Sequence, residues 1–120
     1  MAAPAQAPPR PRRGEVWIVD LDPTLGHEQA GRWPGLVISV DGFNQSAAEL
    51  AIVLPVTSRK KSVRSHVLAQ AGEAGLKVAS FIKCEDVRSI STRRLHRRLG
   101  SASPATLRAV EERLRILMGL

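Results

Sequence analysis

One short segment of the sequence carries an unusual number of chemically active side chains. Residues 26–35 read GHEQAGRWPG, so a carboxylate, an amide, an imidazole, a guanidinium and an indole share a stretch whose Gly and Pro residues are typical of a turn. Cleavage of a phosphodiester needs a group that accepts a proton, a group that donates one, and a cation beside the phosphoryl oxygens. Glu28 and Arg32 have side chains of the required kinds.

A second candidate region lies where an apolar run ends in hydroxyls and then cations. Residues 55–61 read PVTSRKK. A threonine hydroxyl at a strand end can hydrogen-bond a phosphate oxygen while neighbouring Arg and Lys side chains neutralise its charge. Ser and Thr are also common in ordinary turns, and that explanation competes. Together with residues 26–35, Thr57 would complete a set able to cleave RNA, whose 2′-hydroxyl is its own nucleophile.

Other kinds of site receive less support from the sequence. Residues 92–98, TRRLHRR, carry four arginines, a pattern typical of a solvated face. The histidines are scattered, and the single cysteine, Cys84, has no partner at zinc-ligand spacing. Because Cys84 ends an apolar run, we expect a buried thiol rather than a nucleophile. We therefore expect no metal and no cofactor.

The composition restricts the class of protein and the kind of partner. The chain has 120 residues, of which 43% are hydrophobic and 3% aromatic, so we expect one domain with an aliphatic core. Its formal net charge of +7 favours nucleic acid as a partner, although net charge alone also allows an acidic protein or a membrane surface. No apolar run reaches the length of a membrane span and no signal-peptide core is present. We expect a cytoplasmic protein with no membrane partner.

The elements that must position these side chains are mostly strands. Residues 1–12 are rich in Pro and Ala and predict a disordered tail, which leaves 13–120 as the folded domain. Short β-branched runs separated by turn residues predict a small twisted sheet or barrel, with strands at 15–21, 35–40, 48–56, 65–69, 78–83 and 86–90. Ser103 and Pro104 predict the start of a C-terminal amphipathic helix that covers one face of the sheet and ends near Gly119.

Three motifs, in order, resemble the MazF/PemK family of toxin endoribonucleases. They are RGEVWIVDLDPTLGHEQAG, followed by Pro34 and LVIS; then VLPVTSR; then GLKVASFIKCEDVRSI with RRLGSAS and the final helix. The likeness extends from residue 13 to 120. It implies a mainly β fold, a small SH3-like twisted barrel (MazF/PemK/CcdB-like) with a C-terminal α-helix, acting as a homodimer. It also implies metal-independent, sequence-specific cleavage of single-stranded RNA (mRNA) to 2′,3′-cyclic phosphate and 5′-hydroxyl ends, and inhibition by a cognate MazE-like antitoxin.

The resemblance also implies roles for particular residues. Thr57 falls on the family's active-site threonine, and Glu28 and Gln29 fall on its Glu-Gln pair. The family arginine directly precedes the proline, where this chain has Trp33, with Arg32 one residue earlier. We predict the catalytic residues to be Arg32, Thr57 and Glu28, and the RNA-binding residues to be Gln29, Trp33, Ser58, Arg59, Lys60 and Arg64.

The displaced arginine leaves two structural outcomes open. In an irregular loop, Arg32 reaches the phosphate while Trp33 stacks on a base, and this is the outcome we expect. In a regular strand, alternate side chains point to opposite sides, so Arg32 would face solvent and Arg59 or Arg64 would supply the charge. Trp33 could instead pack against Pro34. The departure also keeps open a non-cleaving RNA- or peptide-binding module, whereas the Glu-Gln loop with Thr-Ser-Arg argues against a gyrase-directed toxin.

Overall fold

A computed structural model describes residues 9–21 and 31–120. The described parts form seven strands and two α-helices: β1 Glu15–Asp20, β2 Arg32–Val37, α1 Asp41–Asn44, β3 Leu50–Thr57, β4 His66–Ala69, β5 Ser80–Lys83, β6 Arg88–Ser91, β7 Leu95–Ser101 and α2 Pro104–Met118. Most of the expected tail lies outside the described residues, and the domain boundary at residue 13 stays a prediction. None of the described helices is long and apolar enough to cross a bilayer.

The strands form one antiparallel, twisted sheet. Their order is β4-β5-β3-β2-β1-β7, with β6 paired to β3, and in the described chain the two ends of this path are not joined. The sheet is therefore barrel-like but not closed. The prediction of a mainly β fold with a C-terminal helix is confirmed. Two strands differ from the predicted positions. Strand β2 begins at Arg32 rather than at residue 35, and β7 lies where the sequence analysis predicts no strand.

Alternation along the central strands divides the buried side chains into two layers. The helix-side core lies under α2 and includes Val16, Leu36, Leu54, Val56, Ile82 and Val110. The indole-side core lies on the opposite face and consists of Val19, Trp33, Val37, Val53, Ile90 and Leu95, with Trp17 and Leu21 packed against it. Consecutive residues of β2 thus belong to different layers.

The C-terminal helix begins and ends where the sequence predicts. The Ser103 side chain accepts a hydrogen bond from the backbone N–H of Thr106 at 3.1 Å, and Pro104 occupies the first turn. Gly119 ends the helix with a φ of 70°, a conformation that favours glycine. Val110 is buried in the helix-side core, so α2 covers this face of the sheet as expected.

The edge strand β7 contains two β-bulges against β1. Leu95 pairs with Val19 and Arg97 pairs with Ile18, which leaves His96 as an extra residue between them. A bulge changes the alternation and re-aims a side chain. Arg97 pairs with Ile18 on the cleft face, and His96 contacts Arg32 on that same face. Two successive side chains of β7 are therefore directed to one side of the sheet. The second bulge lies at Leu99.

A tight turn packs closely on β7 and forms one wall of the candidate site. This 3₁₀ turn, Glu73–Gly75, approaches so closely that a Cβ at Gly75 would collide with the carbonyl oxygen of Leu99. The backbone of Gly75 has a φ of 76°, which disfavours other residues there as well. Glycine at this position therefore allows the turn to lie directly against the strand.

Candidate functional site

A cleft of about 450 Å³ opens at the end of β3, where Thr57 is the last strand residue. Ile18, Pro34 and Leu99 supply apolar lining from three strands. The polar and cationic lining residues are Thr57, Ser58, Lys77, Ser80 and Arg97. A ligand with an apolar ring and an anionic group would match both parts of this lining.

The Thr57 side chain is partly exposed and keeps a hydrogen-bond donor for a ligand. Its Oγ1 accepts a hydrogen bond from the backbone N–H of Arg59 at 3.2 Å. A hydroxyl has one O–H donor in addition to its acceptor lone pairs. The hydroxyl hydrogen is therefore free to point toward a phosphoryl oxygen in the cleft.

Arg32 lies on the same face of the sheet as the cleft. The pairing of β1 with β2 is regular, with Asp20 opposite Arg32 and Ile18 opposite Pro34. Two residues along a strand return to the same face, so Arg32 lies about 6–7 Å beyond the cleft residue Pro34. The Arg32 side chain is 56% exposed, and its Nε donates to Asp20 Oδ2 at 3.2 Å. The regular strand therefore leaves this guanidinium accessible and next to the cleft.

Trp33 does not occupy the position that we expected. Its residue is 4% exposed, and its ring packs in the indole-side core on the face opposite the cleft. The guanidinium carbon of Arg88 lies 5.8 Å from the centroid of the ring, within the range of a cation–π contact. Because this ring is enclosed by protein, stacking on an RNA base is not supported. The irregular loop expected at Arg32 and Trp33 is likewise replaced by a regular strand.

The remaining predicted site residues fall into three groups. Ser58 lines the cleft, and Arg59 and Lys60 follow it as exposed residues. Arg64 lines a different pocket, of about 370 Å³, against the end of α2, where its carbonyl oxygen accepts a hydrogen bond from Arg113. Glu28 and Gln29 lie outside the described residues. The structure thus brings Thr57, Ser58 and Arg32 to one face and places Arg64 elsewhere.

Sequence reasoning missed several residues at this face. Arg97, Lys77 and Ser80 line the cleft, and His96 lies beside Arg32, with its Nε2 3.3 Å from Arg32 Nη1. The segment containing His96 and Arg97 was interpreted as a solvated basic face. This segment is strand β7, and its bulges disrupt the alternation of apolar and polar residues by which a strand is predicted from sequence.

Two neighbouring arginines of β7, Arg97 and Arg98, lie on opposite faces of the sheet. Arg98 points to the side away from the cleft, where its Nε donates to Glu15 Oε2 at 2.6 Å. Burial alone would raise the pKa of Glu15, but the backbone N–H of Arg12, the Trp17 indole and Arg98 together lower it. Arg97 forms no ion pair with any residue in 9–21 or 31–120 and remains available to an anionic ligand.

The described residues do not favour two other kinds of site, a nucleophilic Cys84 and a metal centre. Burial and the charge of Glu85 raise the pKa of the Cys84 thiol to about 11, so at neutral pH the thiol is protonated and unreactive. The expectation of a buried thiol is confirmed. Within the described ranges, no three His, Cys, Asp or Glu side chains converge as metal ligands would.

The sequence and the fold of this chain both match known proteins. The model of the "PemK-like, MazF-like toxin of type II toxin-antitoxin system" matches residues 12–118. The chain is 40% identical over 114 residues to endoribonuclease MazF9 of Mycobacterium tuberculosis, covering 91% of this chain and 97% of that protein. It also resembles the crystal structure of MazE-MazF (Form-II) from Deinococcus radiodurans, with a TM-score of 0.78 and 31% identity over 92% of this chain and 97% of that one. MazF (Form-I) from the same organism has a TM-score of 0.76 and 32% identity, with 92% and 97% covered.

Proposed function

Because the chain belongs to the family of PemK-like, MazF-like toxins of type II toxin–antitoxin systems, we propose that it is an endoribonuclease. Its substrate is single-stranded RNA, including mRNA, cut at short specific sequences. The observation that carries this proposal is the cleft lined by Thr57, Arg97 and Lys77, with Arg32 on the face of the sheet that the cleft residues Ile18 and Pro34 share. Hydroxyl and guanidinium groups together suit a phosphodiester.

The reaction uses groups that the RNA and the protein themselves provide. The 2′-oxygen attacks the adjacent phosphorus and loses its proton to a base, the P–O5′ bond breaks, and the departing 5′-oxygen takes up a proton. The products are a 2′,3′-cyclic phosphate and a 5′-hydroxyl. Thr57 donates a hydrogen bond to a phosphoryl oxygen, and Arg32 neutralises the charge that develops there. No step requires a metal or a cofactor.

The remaining roles follow from the family resemblance and from the cleft. Glu28 serves as a catalytic proton-transfer group, and Gln29 contacts the RNA beside it. Ser58, Arg59 and Lys60 bind the backbone where it leaves the cleft, because they follow Thr57 directly along the chain. Trp33 is buried and Arg64 lines a different pocket, so an RNA contact by either residue would lie outside the cleft.

The same cationic face supports a proposed protein partner. The solved Deinococcus radiodurans relatives include MazF together with MazE. A cognate MazE-like antitoxin with an acidic C-terminal segment would bind the cleft in place of RNA, favoured by the net charge of +7. We further propose that the toxin acts as a homodimer in the cytoplasm.

The proposal is tested by incubating the purified protein with a long single-stranded RNA in EDTA. We expect discrete cleavage sites, each with 2′,3′-cyclic phosphate and 5′-hydroxyl ends, and no cleavage of the matching DNA. Thr57→Ala prepared in parallel should leave the RNA intact, which excludes a contaminating nuclease.

One observation supports a second candidate, a non-cleaving RNA- or peptide-binding module. Where the family has its arginine, this chain has the buried Trp33. RNA that is bound by the wild-type protein but remains whole after prolonged incubation would favour that module and reject the nuclease.

A further inference from the structure

We propose that His96 is the base that removes the 2′-hydroxyl proton during RNA cleavage. This inference rests on the proposed endoribonuclease function and names a residue that the sequence motifs did not indicate. It is carried by three observations: the bulge in β7, the contact between His96 and Arg32, and the place of both residues beside the cleft.

The bulge directs the imidazole toward the cleft face. In a regular strand, His96 would point away from the face that Arg97 occupies. Because His96 is the extra residue between the pairs Leu95–Val19 and Arg97–Ile18, its side chain instead joins Arg97 and reaches Arg32. The imidazole is exposed, so a substrate can approach it.

The contact with Arg32 holds the imidazole of His96 beside the guanidinium. Arg32 Nη1 lies 3.3 Å from His96 Nε2, and because a guanidinium can only donate, the contact is a hydrogen bond when Nε2 carries the lone pair. A neutral imidazole with a lone pair on an accessible nitrogen is in the form that a general base requires.

The register of the strands places this pair one step from the cleft. Ile18 and Pro34 line the cleft, and Asp20 and Arg32 lie two residues further along the same face, a distance of about 6–7 Å. Arg97 lines the cleft, and His96 directly precedes it in the sequence. A phosphate held between the two guanidinium groups would therefore lie against the imidazole.

Substrate binding exposes the nitrogen that must act. An incoming phosphate competes for the Nη1 hydrogen of Arg32, while Asp20 retains Nε and keeps the guanidinium in place. His96 Nε2 then takes the proton of the 2′-hydroxyl as the P–O2′ bond forms and the P–O5′ bond breaks. The 5′-oxygen leaves with a proton from water in the open cleft, and the proton-transfer role proposed for Glu28 then belongs to this leaving-group side of the reaction. Among residues 9–21 and 31–120, the charged groups that strand register and contacts place on this face near the ring are Asp20 from β1, Arg32 from β2 and Arg97 from β7.

The test is the pH dependence of single-turnover cleavage of a short RNA by the wild-type chain, His96→Gln and Glu28→Gln. We expect the wild-type rate to rise with pH to a plateau, as catalysis by a general base requires. His96→Gln should lower the rate by about 10²–10³-fold and abolish that rise. Added imidazole should restore part of the activity of His96→Ala. The affinity of His96→Gln for an RNA with a 2′-deoxy sugar at the cleavage site should differ from that of the wild type by less than about threefold.

The control and the contrary results are distinct. Arg98 lies two residues beyond His96 in β7, on the face away from the cleft. Arg98→Gln should therefore keep the wild-type pH profile. If His96→Gln retains that profile, or if Glu28→Gln alone removes the rise, His96 is not the base. If the wild-type protein leaves RNA whole, the proposed function fails and this inference fails with it. Thermal melts of each variant verify folding, because an exposed histidine should be replaceable without loss of stability.

Discussion

The two faces of β2 have contrasting roles in the structure. On the cleft face, Arg32 and Pro34 adjoin His96 and Arg97, and polar groups remain available to a ligand. On the opposite face, Trp33 closes the indole-side core. The comparison shows that a displacement of one residue within a strand transfers a side chain from the cleft face to the core. In this chain Trp33 points into the core and Arg32 lies on the cleft face.

The packed face accommodates its large residue through a small one. The ring of Trp33 lies over Gly35, where an added Cβ would be 3.2 Å from the indole. Arg88 lies over the ring from β6. The indole Nε1–H has no acceptor among the described residues. Shape rather than hydrogen bonding therefore holds the ring in this layer.

The largest effect should come from the packed face. Trp33→Ala removes a buried ring and leaves a cavity, so we expect the free energy of unfolding to fall by about 3–5 kcal/mol. Urea denaturation followed by circular dichroism measures this change. Trp33→Phe retains an aromatic ring and serves as the matched variant, with a smaller loss. A stability of Trp33→Ala equal to that of the wild type would show that the ring is not part of the core.

Arg32 should show the opposite pattern to its neighbour. Arg32→Ala and Thr57→Ala should each lower the RNA cleavage rate by about 10²–10³-fold, because in the proposed reaction each residue supplies a charge or a hydrogen-bond donor to the phosphate. Their unfolding free energies should change by less than about 1 kcal/mol, since these side chains lie at the surface. Single-turnover kinetics and urea denaturation on the same samples give both values.

The competing assignment of the cation is examined in the same experiment. Arg59→Ala should have a weaker effect than Arg32→Ala, and Arg108→Ala, on the exposed side of α2, controls for the loss of one positive charge. Normal cleavage by Arg32→Ala together with inactive Arg59→Ala would show that the cation is assigned to the wrong residue.

The smallest effect concerns the ion pair on the face away from the cleft. The pKa of Glu15 is lowered by its hydrogen bonds, so the folded state favours the carboxylate. The resulting stability is present above the ordinary pKa of glutamate and is lost as the pH falls through the lower folded-state value. We expect Glu15→Gln to be less stable than the wild type at pH 7 by under about 1 kcal/mol.

The difference between Glu15→Gln and the wild type should disappear in acid, and denaturation curves from pH 2 to pH 7 measure it. Cleavage by Glu15→Gln should be normal, since Glu15 and Arg98 lie away from the cleft. A difference that instead grew on acidification would contradict the direction of the pKa shift.

Much of the fold was predictable because its signals are local. The caps Ser103 and Gly119 act within a few residues, so the ends of α2 follow from the sequence. The start of β2 was predicted too late, because Pro34 and Gly35 indicate a turn. The structure pairs both residues with β1, and proline is tolerated where no ladder hydrogen bond is needed. Strand β7 was missed because its bulges and arginines disguise the alternation.

The amino-acid sequence by itself determined the class of fold, the family and the identity of Thr57 and Arg32 as candidate groups, because motifs and side-chain chemistry do not depend on neighbours distant in the chain. Only the tertiary structure decided which side each residue faces. Strand pairing buried Trp33, and a single bulge brought His96 to Arg32 across 64 positions of sequence. The physical reason is that facing is set by register and by packing between strands, and both depend on residues far apart in the sequence.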